Sequence, residues 1–246
     1  MSSTEPYPFA FYRALHRGTE GDVDFYRRVA SGAGSVLELG AGDGRIARAI
    51  AADGLEVTAL EASAEAVEAG RRGHHGDRVT WVVGTMERFD LGRTFDRIIA
   101  PYNAIYCLTT KEAQAACFSC AARHLSPSGY FVFDAWSADA FHAEAEEGEP
   151  GEPEWVDEVV VEGRRYRVLE STRWDRRAQF LDVTYRYEPV EGGEPVVARI
   201  PQRYLLVAEI EAMLAEAGLE LVVVHGGFDQ HVWDEDSERI VVTATK

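Results

Sequence analysis

A chain of 246 residues with a formal net charge of −17 and no run of Lys or Arg is ill suited to neutralising phosphates or resting on an anionic membrane, so neither nucleic acid nor membrane is expected as partner. Hydrophobic residues make up 46%, enough for a sizeable core, and the acidic surface reads first as a solubility device. Three cysteines (Cys107, Cys117 and Cys120) argue against a disulfide framework and fit a reducing cytoplasm, and MSSTEPYPFAFYRALHRG lacks the charged-then-apolar layout of a secretory leader.

From about Tyr7 to Val29, aromatic and aliphatic residues at near-helical spacing (Phe11, Leu15, Phe25, Val29) predict one or two amphipathic helices, within a leading segment 1–34. Strand signals follow at 35–39, 56–60, 79–83, 97–100 and 130–134, separated by helical stretches at 45–52, 64–71 and 111–124. Apolar strands alternating with helices over 35–136 predict an α/β unit with a parallel sheet covered on both faces. Its ligand edge lies beyond the carboxyl ends of the strands.

After Trp136 the pattern changes. Residues 143–158 are dense in acid, without a base, and read as a solvated loop. Segments 158–161, 165–174 and 179–187 alternate aromatic and β-branched residues and read as antiparallel strands. A helix at 207–218 and strands at 220–225 and 239–245 close the chain. The stretch 137–204 is therefore an insertion in a single α/β domain that resumes over 205–246. It is read as a roof over the site, as the contact of a homodimer, or simply as packing within its own sheet.

The chemistry concentrates at VLELGAGDGRIARAIA, starting at Val36. Glycines 40, 42 and 44 fall where a strand turns into a helix, and glycine there lets a ligand approach the backbone. Dinucleotide enzymes prefer Gly-x-Gly-x-x-Gly, but here Arg45 occupies the last glycine's place. Glu38, inside the strand, would repel a pyrophosphate and suit a ligand that carries an ammonium. Glu61, at the end of the second strand, stands where a ribose diol is gripped, or else is a surface acid before a helix capped by Ser63. Thr85 and Met86 follow the third strand as candidates for an adenine edge and face. After the fourth strand, Tyr102, Asn103 and Tyr106 are candidate walls for a substrate, or else Tyr106 starts the buried face of the next helix.

Taken in order, ELGAGDG, TALEAS, VVGTMERF, FDRIIAPYNAIYCL and HLSPSGYFVFD resemble the successive cofactor segments of the class I S-adenosylmethionine-dependent methyltransferases. The leading helices and the insertion are further similar to amino-sugar and glycine-type N-methyltransferases. The resemblance implies a Rossmann-like seven-stranded sheet ordered 3-2-1-4-5-7-6, with strand 7 antiparallel. It implies S-adenosylmethionine as cofactor and methyl transfer to a nitrogen or oxygen of a small-molecule acceptor. Gly40, Ala41 and Gly42 would meet the methionine part, Glu38 its ammonium together with the Ala100 carbonyl, and Glu61 with Ala62 the ribose. Thr85 and Met86 would flank adenine, while Tyr12 and Tyr26 would close over the cofactor. The family more often has an acid where Gly84 or Thr85 stands.

An activated methyl donor leaves the protein mainly a task of alignment, and only a hydroxyl acceptor would want a general base. His16, His142, His225 and His231 are candidates, none in a catalytic motif. Arg203 and Tyr204 could reach the substrate. Cys117, Cys120 and His124 have metal-like spacing but no fourth ligand, and no metal is expected. The rival readings are non-methyl chemistry on the same fold, a cofactor-binding partner subunit without catalysis, and a nicotinamide dehydrogenase.

Overall fold

The computed structural model describes residues 7–144 and 151–246. In chain order the elements are α1 (Phe9–Leu15), α2 (Asp22–Ala30), β1 (Ser35–Leu39), α3 (Arg45–Ala52), β2 (Glu56–Glu61), α4 (Ala64–Arg72), β3 (Val79–Val83), β4 (Phe95–Ala100) and α5 (Lys111–His124). There follow β5 (Leu125–Trp136), α6 (Asp139–Glu144), β6 (Glu154–Val161), β7 (Arg164–Asp175), β8 (Phe180–Pro189), β9 (Val196–Arg203), α7 (Val207–Glu216), β10 (Glu220–His225) and β11 (Arg239–Thr245). The chain divides into two compact units, the described parts of Met1–Gly18 with Glu144–Tyr204, and Thr19–Ala143 with Leu205–Lys246.

The larger unit holds a seven-stranded sheet in the order β10-β11-β5-β4-β1-β2-β3. Read from its other edge this is 3-2-1-4-5-7-6, with β11 antiparallel to both β5 and β10, as expected. β1 is buried along its whole length between parallel β2 and β4, which is why it reads as a continuous apolar run broken only by Glu38. Strand order reverses between β1 and β4, so the loops after these two strands face each other at the switch point. Helix ends obey local chemistry: Ser63 caps α4 by accepting from Ala66 N–H at 3.2 Å, and Thr110 caps α5 from Ala113 N–H at 3.1 Å.

The smaller unit is a four-stranded antiparallel sheet, β6-β7-β8-β9. One face buries Val159, Val161, Tyr166, Val168, Tyr187 and Ala198 against Phe11, Ala14 and Leu15 of α1. Three differences from the sequence reading stand out. The two leading helices part company, α1 going to this sheet and α2 to the parallel one. The acidic stretch turns into strand from Glu154 onward, because Val159 and Val161 need a buried face; residues 145–150 lie outside the described part. Strand β9 was not anticipated, since Pro201 interrupts its pattern; as an edge strand it does not need that missing N–H.

Candidate functional site

The glycine corner joins β1 to α3. Gly40, Gly42 and Gly44 all have positive φ, at 66°, 57° and 70°, but they serve different ends. A side chain at Gly44 would meet the Trp81 ring at 2.3 Å, so this glycine lets α3 pack against β3. A side chain at Gly42 would meet nothing within 4 Å. Gly42 is thus the glycine whose missing side chain leaves room. A side chain at Gly40 would come within 3.0 Å of Ala104 Cβ and 3.2 Å of Met86 Sδ, so the loops after β3 and β4 close on the corner.

Two carboxylates flank it. The Glu61 Oε2 accepts from Gly42 N–H and its Oε1 from Ser63 N–H, both at 2.8 Å. Each oxygen keeps a further lone pair for a hydroxyl, and the residue is partly exposed. Glu38 differs: it is 3% exposed, and its Oε2 has no hydrogen-bond partner. Burial pushes its carboxyl up to about 8, against the pull of the Ala47 backbone N–H and the Arg45 guanidinium. Arg45 itself opens α3 and donates to buried Asp22 at 2.7 Å, which explains why this position is not the third glycine of a dinucleotide site. A buried carboxyl oxygen without a partner beside open glycine backbone, with a second, partly exposed carboxylate next door, fits a ligand with an ammonium and a ribose.

Beyond β4 the chain enters a turn in which Tyr102 and Asn103 are both left-handed, φ 56° and 61°. Three bonds to β5 hold it: Tyr102 N–H to Asp134 Oδ1 at 2.9 Å, Asn103 N–H to Asp134 O at 3.0 Å, and Trp136 N–H to Asn103 Oδ1 at 2.8 Å. Asp134, 1% exposed, also accepts from Tyr26 O–H at 2.7 Å and from Arg239 at 2.6 Å. Neither Asp134, Asp22 nor Arg239 was singled out from the sequence. Asp134 carries the same signal as Glu38, an acid inside an apolar strand.

Several expected residues are placed otherwise. Tyr26 is not a movable cover: it is fully buried, tied to Asp134, with its ring against Phe25 and Phe228. Tyr106 is no exposed wall, because it is fully buried with its hydroxyl at 3.1 Å from Trp136 O and 3.2 Å from Leu205 O. Tyr102 and Asn103 stay partly exposed, Ala62 and Thr85 exposed, Met86 partly buried, and Ala41 and Ala100 buried beside the corner. Tyr12, Arg203 and Tyr204 belong to the smaller unit. There Arg203 and Tyr204 are buried, Arg203 donating to Gln179 at 2.9 Å and Tyr204 accepting from Trp174 at 3.0 Å, which suits bracing rather than reaching.

Of the histidines, burial holds His16 down at about 4, and His231 pairs with Asp229 at 2.6 Å. Cys117, Cys120 and His124 are buried along α5, and both His124 nitrogens are engaged, by Leu91 N–H at 3.0 Å and Cys120 O at 2.8 Å. No helix among the described residues is long and apolar enough to cross a membrane.

Comparison with known proteins agrees with this corner. A family described as a methyltransferase domain matches residues 36–129. The cypemycin N-terminal methyltransferase of Streptomyces sp is 25% identical over 209 residues, 85% of this chain and 81% of that protein. The CcbJ methyltransferase of Streptomyces caelestis is 29% identical, with a TM-score of 0.78 over 91% of this chain and 87% of its own. At 21% identity, the fold of CalS10 from Micromonospora echinaspora, solved with S-adenosylmethionine bound, covers 100% of this chain and 99% of its own with a TM-score of 0.70. Residues 36–129 thus match a methyltransferase domain, and the strand order, the corner and the similar proteins are consistent with the class I S-adenosylmethionine-dependent methyltransferases.

Proposed function

We propose that S-adenosylmethionine lies with its methionine end on Gly40, Ala41 and Gly42, its ammonium toward Glu38 and the Ala100 carbonyl, and its ribose on Glu61 beside Ala62. Thr85 and Met86 flank the adenine, and the acceptor approaches at the Tyr102–Asn103 turn. The observation that carries this reading is the buried, unpartnered Oε2 of Glu38. A buried carboxyl oxygen left without a partner costs about 1–3 kcal/mol, and a ligand ammonium offsets that cost. When bound, S-adenosylmethionine supplies a methyl group already activated on a sulfonium. What remains for the chain is to hold donor and acceptor in line and exclude water.

An amine acceptor is favoured over a hydroxyl. The cypemycin relative is named for an N-terminal methylation, and a neutral amine needs alignment but no strong base. The net charge of −17 adds long-range attraction for a cationic small molecule.

The test is calorimetric titration with S-adenosylhomocysteine, with NAD as control, on the wild type and Glu61→Ala. Micromolar binding weakened tenfold or more by Glu61→Ala, about 1.4 kcal/mol, supports the placement. Preference for NAD, or affinity indifferent to Glu61→Ala, overturns it. Transfer of a labelled methyl group from S-adenosylmethionine to matched small amines and alcohols then decides the acceptor atom; transfer to alcohols alone would refute the amine reading.

A further inference from the structure

The left-handed pair after β4 is unusual in its residue types. Asn tolerates this conformation, but a bulky aromatic in it is strained, and such strain persists only where surroundings over-determine it. Glycine would adopt this φ without steric strain. A tyrosine there, held by several bonds, points to a side chain whose direction matters.

What over-determines it is chiefly one residue of β5, joined by the bond from Trp136 N–H to the Asn103 side chain. Asp134 fixes the Tyr102 amide through its side chain and the Asn103 amide through its backbone. It is itself clamped by Tyr26 of α2 and Arg239 of β11, and Arg239 continues to Thr19 Oγ1 at 2.9 Å. The turn touches the glycine corner, since Ala104 closes on Gly40. The Tyr102 phenol also lies within electrostatic reach of Arg45, at the start of α3. The held turn and the donor end of the cofactor site are therefore neighbours.

We propose that Asp134 is a positioning residue: by locking the Tyr102–Asn103 turn in its left-handed form, it sets the Tyr102 ring against the sulfonium methyl, where donor meets acceptor. This rests on the cofactor placement proposed above. An aromatic ring against a sulfonium favours the cation over the neutral thioether. The lock is thus readable without knowing the acceptor, as the ratio of affinities for S-adenosylmethionine and S-adenosylhomocysteine.

Four proteins decide it: wild type, Asp134→Asn, Tyr102→Gly and Tyr102→Phe, each titrated with both ligands and melted without ligand. Asp134→Asn and Tyr102→Gly are expected to shift the ratio at least threefold against S-adenosylmethionine, while affinity for the homocysteine form stays within twofold. Tyr102→Phe is expected to keep the wild-type ratio. Tyr102→Gly relieves the left-handed backbone while giving up the tyrosine side chain, and its melt checks that it is folded. A merely structural Asp134 would weaken both ligands equally, and that result overturns the proposal. So does an unchanged ratio in Tyr102→Gly, which remains decisive if Asp134→Asn fails to fold. If wild type binds no S-adenosylhomocysteine, the cofactor placement fails and takes this proposal with it; if it binds and the ratios do not move, only the lock is refuted.

Discussion

Glu38 on β1 and Asp134 on β5 are both single acids in otherwise apolar strands of one sheet, yet their surroundings leave them in opposite condition. Asp134 accepts from a phenol, a backbone amide and a guanidinium, and these pull against the burial that raises its carboxyl. Glu38 keeps an oxygen without a partner, and burial lifts it to about 8. A buried charge that its neighbours satisfy is part of the frame, whereas the one left incomplete is the group proposed above to receive the ligand ammonium. The Asp134 cluster is frame in this sense, although it grips the turn that meets the site.

The sharpest way to break this contrast is to truncate the satisfied acid. Asp134→Ala strands the Arg239 guanidinium, the Tyr26 hydroxyl and the Tyr102 amide together, and should cost about 3–5 kcal/mol by urea denaturation. A loss below about 1 kcal/mol would show that the cluster is not a hub.

Neutralising the incomplete acid should do the reverse. The folded carboxyl of Glu38 lies near 8 and the ordinary value is 4.5, so the folded state holds the proton more tightly. Its stabilising effect is complete below about 4.5 and is lost as pH rises through 8. Ligand-free wild type should therefore lose stability across that window. Glu38→Gln should flatten the slope and exceed wild type near pH 8, while binding S-adenosylhomocysteine less tightly. Melting temperatures across the range check the first point; parallel slopes for both proteins would contradict it.

The smallest effect distinguishes the two glycines. Gly44→Ala drives a methyl into the Trp81 ring and should cost stability, about 1–3 kcal/mol, with cofactor affinity little changed. Gly42→Ala meets only its left-handed backbone, roughly 1–2 kcal/mol, and should instead weaken S-adenosylhomocysteine. Melting and titration of both variants would expose a reversed pattern.

Much of the fold was legible because its signals are local. β1, β3, α3, α5, β10 and β11 lie where apolar spacing and flanking residues put them. Glu38 could be singled out as an acid inside the strand that leads into the glycine turn, and Glu61 as an acid at the end of the second strand. Asp134 sits in YFVFDAW with a comparable signal, but its meaning depends on Tyr26, 108 residues away, and Arg239, 105 residues away. Tyr106 and Tyr204 read as walls because aromatics in loops often are, and burial of their hydroxyls against partners decided otherwise.

By itself, then, the sequence determined most strands and helices of the parallel-sheet unit, the glycine corner and the two acids beside it. These follow from periodicity, capping and turn chemistry acting within a few residues. Only the tertiary structure decided which acid is satisfied and which is left open, which glycine makes room and which merely packs, and that a strained turn is gripped from β5. Those outcomes depend on which side chains long-range folding brings within hydrogen-bond distance, and local pattern does not encode that.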